Sequence, residues 1–479
     1  MTAPSAALAL VLHAHLPWVR HDDHDALEER WLFEGITECY LPLLAVCDGL
    51  ARDGVPGSLA LSLSPTLLAM LRDAVLRARF EKHFAKLTAT LTAAQRRLDA
   101  RYHPALDHHA RRLDAAWAMW TRLRGDLPAA FDAHRRTGRL SLWTSAAPHP
   151  LLPLWADRRW FLDLALDRAI SLHCNVFGDT PKGLWLPECG VAPGVPEALA
   201  AHGVKVSVLE THGVLHATPR PSRGIAWPVR DPSGVVFAGR DPHAATAVWS
   251  RELGYPGAAP YQDFASDLGH GPWEDFTAPD GAPLRTGLGV FAVTDRRGGP
   301  KDPYDPDAAV TIAHEHARAF VADRVRALDG EGISVCPFDA ELFGHWWAEG
   351  PCFLDGVLRA CAAQGLPAVA LDRAEVLSRN DLETVRVASS TWGRGGHLAA
   401  WLEGEGGGMA RDLDAMARAL ESTGVNRAPE AREELLAASA SDWPFLLNGG
   451  GAPHYARRRF DAHREAFWRA LRRELARRG

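Results

Sequence analysis

Seven short apolar runs punctuate the chain, at 7–13, 58–64, 139–145, 183–188, 204–210, 235–240 and 332–339, and each closes on polar or chemically unusual residues. Such runs, separated by helical stretches, predict a parallel α/β sheet or barrel. In a parallel barrel the strand ends and the loops that follow them converge on one mouth. The residues that end each run are therefore the ones to examine for chemistry.

Two stretches break the alternation. From about 68 to 138 the texture is helical and rich in Ala, Leu, Arg and His, which predicts a helical insertion between strands. Beyond about 388 no strand pattern returns, and 409–422 and 455–478 show helical spacing with Arg-rich polar faces. The expected organisation is a catalytic barrel at 1–67 and 139–387, a helical insertion at 68–138 and a helical C-terminal domain at 388–479.

Composition narrows the partners. A chain of 479 residues suits one barrel with insertions plus satellites. A net charge of −6 offers no broad basic field for a nucleic-acid backbone. The seven Cys form no CxxC pair and the N-terminus lacks a signal-peptide pattern, so a reducing cytoplasm is expected. No apolar stretch approaches the roughly 20 residues a membrane helix needs, so no membrane partner is expected. Trp is abundant, 17 against 6 Tyr, and flat rings carrying one donor suit the apolar faces of sugars as well as core packing.

Three segments carry candidate chemistry. VLHAHLPW places His13 and His15 on one side of an extended segment, because side chains alternate along a strand. Two such His can contact ligand hydroxyls, bind a metal or serve as structural residues, and no HExxH motif or Cys cluster supplies further metal ligands. GLWLPECGVAPG presents Glu188 after an apolar strand, where a carboxylate is costly unless used or paired. CPFDAELFGHWWAEGP presents Asp339 at the end of another strand, with Glu341, His345, Trp346 and Trp347 following. An acid among aromatic rings is poorly solvated, so its pKa rises and it can donate a proton near neutral pH. Paired with an ionised Glu188, it would complete a two-carboxylate site for glycoside cleavage.

At these residues the sequence resembles a known family. HAHLPW, WLPEC, LETHGV, PFDAELFGHWWAEGP and SSTWGRGGH are similar to the motifs of glycoside hydrolase family 57, in particular its 1,4-α-glucan branching members. The resemblance runs from about 7 to 468, with SPTLL, RDPHAATAVWS, KDPYDP and SDWPF adding to it. It implies a (β/α)7 barrel with a helical insertion and a helical C-terminal domain, and a retaining mechanism without metal or other cofactor. Glu188 is then the nucleophile and Asp339 the acid/base, acting on α-glucans such as glycogen or amylose.

The same resemblance implies sugar contacts from His13, His15, Trp18, Trp31, His149, Arg240, Trp273, His345, Trp346, Trp392, Trp401 and Trp443. Trp273, Trp392 and Trp401 are expected to line the cleft with part of each ring open. The chain departs from the family in three places. Trp18 stands where Tyr is expected, Pro148 and Pro150 flank His149, and no Tyr occurs between Glu188 and Gly254, where branching members are expected to carry one on a loop. Trp227 is a candidate substitute lid, though an indole cannot reproduce a phenol's hydroxyl, which both donates and accepts. Other readings are an amylase or 4-α-glucanotransferase with the same site, a metal-dependent hydrolase or deacetylase using His13 and His15, and a non-catalytic glucan-binding protein.

Overall fold

A computed structural model describes residues 5–21, 27–250, 252–278, 280, 282–293 and 301–477. Among the described residues there are eight strands: β1 Ala6–Ala14, β2 Leu59–Leu63, β3 Leu140–Ser145, β4 Leu184–Trp185, β5 Val206–Leu209, β6 Val229–Arg230, β7 Val236–Gly239 and β8 Gly332–Asp339. All seven predicted runs contain one, and β6 is a short antiparallel addition to β7.

The strands curl toward closure. One parallel sheet runs β4-β3-β2-β1-β8 and a second runs β5-β7-β6. A parallel bridge between Gly183 and Val206 joins β4 to β5, and the Asp241 N–H, just beyond β7, bonds to the Val335 carbonyl of β8 at 2.8 Å. Seven parallel strands thus form the (β/α)7 arrangement. At Gly183 a Cβ would fall 2.0 Å from the Trp143 indole, so only glycine lets the chain pass that ring.

Strand periodicity sorts the core into two layers. Along β1, Ala7, Ala9 and Val11 join Ala60, Trp143, Trp185, Val206, Val208, Val236, Ala238, Ile333 and Val335 in one cluster, which fills the barrel interior. Leu8, Leu10, Leu12 and Ala14 belong instead to the layer packed under the helices. His13 is in phase with the inner set and pairs in register with Asp339 of β8, so both rise at the same mouth.

Helices occupy the two regions where the sequence predicts them. Pro65–Arg72, Ala74–Arg97, His103–Leu123 and Leu127–Arg136 follow β2, and Ser64, Asp73 and Asp126 cap three of them with side-chain oxygens. Past residue 398 the described residues are helical, with Gly406–Thr423, Pro429–Ala438, Asp442–Gly449 and Pro453–Ala476 packed on one another. Their core merges with that of the barrel's β3–β5 side, through residues such as Leu162, Leu184 and Val214. No described helix is long and apolar enough to cross a membrane.

Candidate active site

The strand ends enclose a cavity of about 740 Å³ lined by His13, His15, Trp31, His149, Glu188, Arg240, Asp339, His345, Trp346, Trp392 and Trp401, among others. Eleven of the fourteen sequence-predicted site residues meet there, drawn from five strand ends and the C-terminal region. Glu188 follows β4 on a tight turn, where it and Cys189 take φ values of 60° and 50°. His149 sits at φ 98°, so three of the five described non-glycine residues with positive φ lie at this site. Strain of that kind costs on the order of 1–3 kcal/mol per residue and persists where surrounding contacts hold it.

Those contacts are specific. Trp392 Nε1–H donates to Glu188 Oε2 at 2.8 Å, and its backbone N–H donates to the Glu188 carbonyl. The Ser441 hydroxyl lies 2.8 Å from Glu188 Oε1 and 3.0 Å from His149 Nδ1. His15 Nε2 meets Asp442 Oδ1 at 3.0 Å and its Nδ1 meets Ser64 Oγ at 2.8 Å. His13 bridges Ser62 Oγ at 3.2 Å and His149 Nε2 at 3.1 Å, while its ring lies flat on Trp185 at 4.6 Å. Glu341 accepts the Tyr40 hydroxyl and the His15 backbone N–H, and Arg240 pairs with Glu210 at 2.9 Å while lying over the Trp392 ring.

The electrostatics differ between the two carboxyls. Burial, reinforced by the negative Glu341 and Glu188, holds Asp339 well above the ordinary aspartate range. Burial also raises Glu188, but the Trp392 and Ser441 donors pull against it. Burial pushes His13 and His149 well below the usual histidine value. For His15 burial is opposed by Asp442, and the balance lies above the usual value. Glu341 is lifted to about 7 by burial. One carboxyl that holds its proton and another supplied with donors on both oxygens are what a proton donor and an anionic nucleophile each require.

His13, His15 and His149 place a ring nitrogen each within 4.8 Å of the others. All six ring nitrogens nevertheless have protein partners, namely Ser62, Ser64, Ser441, Asp442 and the His13–His149 contact itself. A metal would have to break that network, so the donor set fits hydrogen bonding better than ligation.

Several expectations need correction. Trp273 does not line the cavity; it is half-buried against Tyr102 and Phe291, on the side of the helical insertion. Trp401 lines the cavity but is 1% exposed, because its ring is packed beside Gly393, so it offers no open face. Trp392 is half-open as expected, yet its indole N–H is committed to Glu188. Trp443 is buried in the C-terminal core with its N–H on the Ala437 carbonyl, and Trp18 is half-buried, its carbonyl accepting the Tyr455 hydroxyl. Trp227 is clamped between Arg223 and Arg379, beside Ala226, whose carbonyl bonds Ile333 at the start of β8. That is the end of the barrel opposite the cavity, so Trp227 cannot act as a lid.

Of the expected rings, Trp346 is open at the mouth, 53% exposed and tilted against Phe264; Trp249, outside the expected set, is 40% exposed and meets Trp392 edge-on. Ser62, Ser64, Ser441, Asp442, Phe264 and Arg285 were not predicted at all. In SDWPF the sequence points to the Trp, whereas the two preceding polar residues, Ser441 and Asp442, are the ones that enter the site.

With this geometry in view, comparison with known proteins is decisive. Residues 9–266 match glycosyl hydrolase family 57 and residues 411–477 match a unit described as "1,4-alpha-glucan branching enzyme, C-terminal". The chain belongs to glycosyl hydrolase family 57. It is 29% identical to a 1,4-alpha-glucan branching enzyme of Thermococcus kodakarensis, over 98% of this chain and 74% of that protein. The GH57-type branching enzyme structure from Pyrococcus horikoshii superposes with a TM-score of 0.86 at 26% identity, covering 99% of this chain and 92% of that one. The α-amylase AmyC structure of Thermotoga maritima gives a TM-score of 0.86 at 29% identity, covering 98% of this chain and 94% of that one. The family 57 fold is therefore shared along nearly the whole chain, the C-terminal helices included.

Proposed function

We propose that this chain is a 1,4-α-glucan branching enzyme that works by double displacement, with Glu188 as nucleophile and Asp339 as acid/base. The observation that carries the assignment is the contrast between the two half-buried carboxyls in one aromatic-rimmed cavity, Glu188 with donors on both oxygens and Asp339 facing the negative Glu341. Glu188 attacks the anomeric carbon of an α-1,4-linked donor while Asp339 passes its proton to the departing glycosidic oxygen. A glycosyl ester on Glu188 and a shortened glucan result. Asp339, now ionised, takes the proton of an acceptor's 6-hydroxyl as that oxygen attacks the ester carbon, giving an α-1,6 linkage and restoring both carboxyls. The relatives named above and the matching C-terminal unit support an α-glucan such as glycogen or amylose as substrate.

A second reading has its own support. The α-amylase structure matches as closely as the branching enzyme, and no Tyr stands between Glu188 and Gly254. Water is present at roughly 55 M against millimolar glucan ends, so transfer prevails only where the site excludes water and positions the acceptor. Here the aromatic ring nearest that task is Trp249, which lacks a phenol's ability both to donate and to accept. A branching enzyme with a large hydrolytic share is the expected outcome. Counting new α-1,6 linkages against new reducing ends on amylose decides between the readings, and reducing ends without branches would establish an amylase.

A further inference from the structure

A buried line of hydrogen-bonding groups leads away from Glu188. It runs from Oε1 to Ser441 Oγ (2.8 Å), to His149 Nδ1 (3.0 Å), from His149 Nε2 to His13 Nε2 (3.1 Å), from His13 Nδ1 to Ser62 Oγ (3.2 Å), and ends on the Thr144 carbonyl (3.1 Å). Ser441, His149, His13, Ser62 and Thr144 are each at most 3% exposed. Five contacts need five protons. Two hydroxyls and two neutral imidazoles supply four, and burial holds both imidazoles neutral.

The shortage ties the direction of the line to the charge on Glu188. When Glu188 is protonated it donates to Ser441, Ser441 to His149, His149 to His13, His13 to Ser62, and Ser62 to the Thr144 carbonyl, so all five bonds form. When Glu188 is ionised, Ser441 must donate to it. Every donor upstream then reverses, Ser62 turns to His13 Nδ1, and the bond to Thr144 is given up. Keeping the outer bonds without reversal would set two bare Nε2 lone pairs against each other at 3.1 Å.

We infer that Glu188 ionises by reversing this buried hydrogen-bond line, which makes Ser441 and the remote Ser62 positioning residues for the nucleophile. The inference rests on the proposed role of Glu188. Other groups act on Glu188 through space: His15 after β1, His149 after β3, Asp442 of the C-terminal helices, Asp339 of β8 with Arg240 near it, and the neighbouring Cys189 thiol, which burial keeps protonated. None of them touches Ser62, whose side-chain partners are His13 and the Thr144 carbonyl, so a change at Ser62 isolates the line.

The test is the acidic limb of kcat/KM against pH, which reports ionisation in the free enzyme. Ser441→Ala removes a hydroxyl donor to the carboxylate and is expected to move the limb up by about one pH unit, with Ser441→Thr restoring it. Ser62→Ala removes the bond that only the protonated arrangement enjoys, so the limb is expected to move down, by about half a pH unit. In the Ser441→Ala background, Ser62→Ala should have no effect, because the line is already cut. A limb unmoved by Ser62→Ala, moved upward by it, or moved equally in both backgrounds overturns the inference. Infrared titration of the Glu188 carboxyl, identified by its loss in Glu188→Gln, gives the same shifts without turnover. If those shifts appear while Glu188→Gln keeps its activity, the line stands and the nucleophile assignment falls. If no shift appears and a glycosyl ester still forms on Glu188, the reverse holds.

Discussion

At the residue scale, the proposed division of labour between two carboxyls rests on their different environments. Glu188→Gln preserves shape but cannot form the ester, so turnover on amylose is expected to fall by at least about a thousandfold with glucan binding retained. Asp339→Asn should fall comparably on amylose; with a good leaving group, which needs no proton, ester formation and hence kcat/KM should recover, while turnover stays slow for want of the base that activates the acceptor. Because burial and its negative neighbours raise Asp339, its acid function is present below its folded pKa and lost as pH rises through it. The alkaline limb of the rate profile is therefore expected to disappear in Asp339→Asn when the activated donor is used. Glu188, Asp339, His13 and His15 were legible because period-two alternation and the strand ends point to them. Ser441 and Asp442 were not, since a Ser-Asp pair opening a helix far along the chain resembles any other cap. Trp443 misled for a geometric reason: one residue along a helix is a turn of about 100°, which takes its ring from the cavity into the domain core.

At the scale of elements, the helix Asp442–Gly449 completes the barrel mouth. Its first residue holds His15, and Ser441 just before it holds Glu188 and His149, with the Ser441 N–H also on the His149 carbonyl at 2.9 Å. Asp442→Asn keeps the size and removes the charge that favours protonated His15. The expected result is a fall in kcat of about tenfold to a hundredfold with little change in thermal midpoint, as for the loss of a group that orients a reacting centre. A collapse of the midpoint would instead mark Asp442 as structural. All seven strands were visible in the sequence as apolar runs, whereas the way they close was not. Closure depends on single contacts such as Gly183 with Val206 and Asp241 with Val335, which leave no periodic trace. Trp273 and Trp227 show the matching limit: an aromatic residue in a polar segment is consistent with a cleft wall, a helix contact or an arginine clamp, and only packing chooses.

For the molecule as a whole, two outcomes depend on more than one region. The Trp249 ring overhangs the mouth and meets Trp392, so Trp249→Ala is expected to raise the ratio of new reducing ends to α-1,6 linkages severalfold, and Trp249→Tyr to lower it. An unchanged ratio in both would show that the rim on that side does not govern water access. Stability should depend on pH through Glu349, which is 2% exposed, bonded to Tyr304 and the Gln262 N–H, and raised by burial from 4.5 to about 7. The native state keeps this proton where the unfolded chain would release it. The stabilisation is thus complete below about pH 4.5 and is lost as pH rises through about 7, a loss on the order of a few kcal/mol. Glu349→Gln should flatten the decline in thermal midpoint between pH 5 and 8.

The helix that delivers Ser441 and Asp442 also sets when the enzyme can begin to work. The His15–Asp442 contact spans 427 residues of sequence, farther than the 326 between Ala6 and Gly332 where β1 pairs with β8, so completing the reactive constellation needs a longer loop closure than closing the sheet does. Contacts of such separation form late, because chain entropy must be surrendered before they give anything back. In a refolding time course, helical ellipticity and burial of the barrel's Trp143 and Trp185 should therefore recover first, and glucan cleavage should lag behind both. During synthesis the same ordering should hold polymer cutting back: the carboxyls at 188 and 339 emerge first, and Ser441 and Asp442, which orient Glu188 and His15, follow about a hundred residues after Asp339.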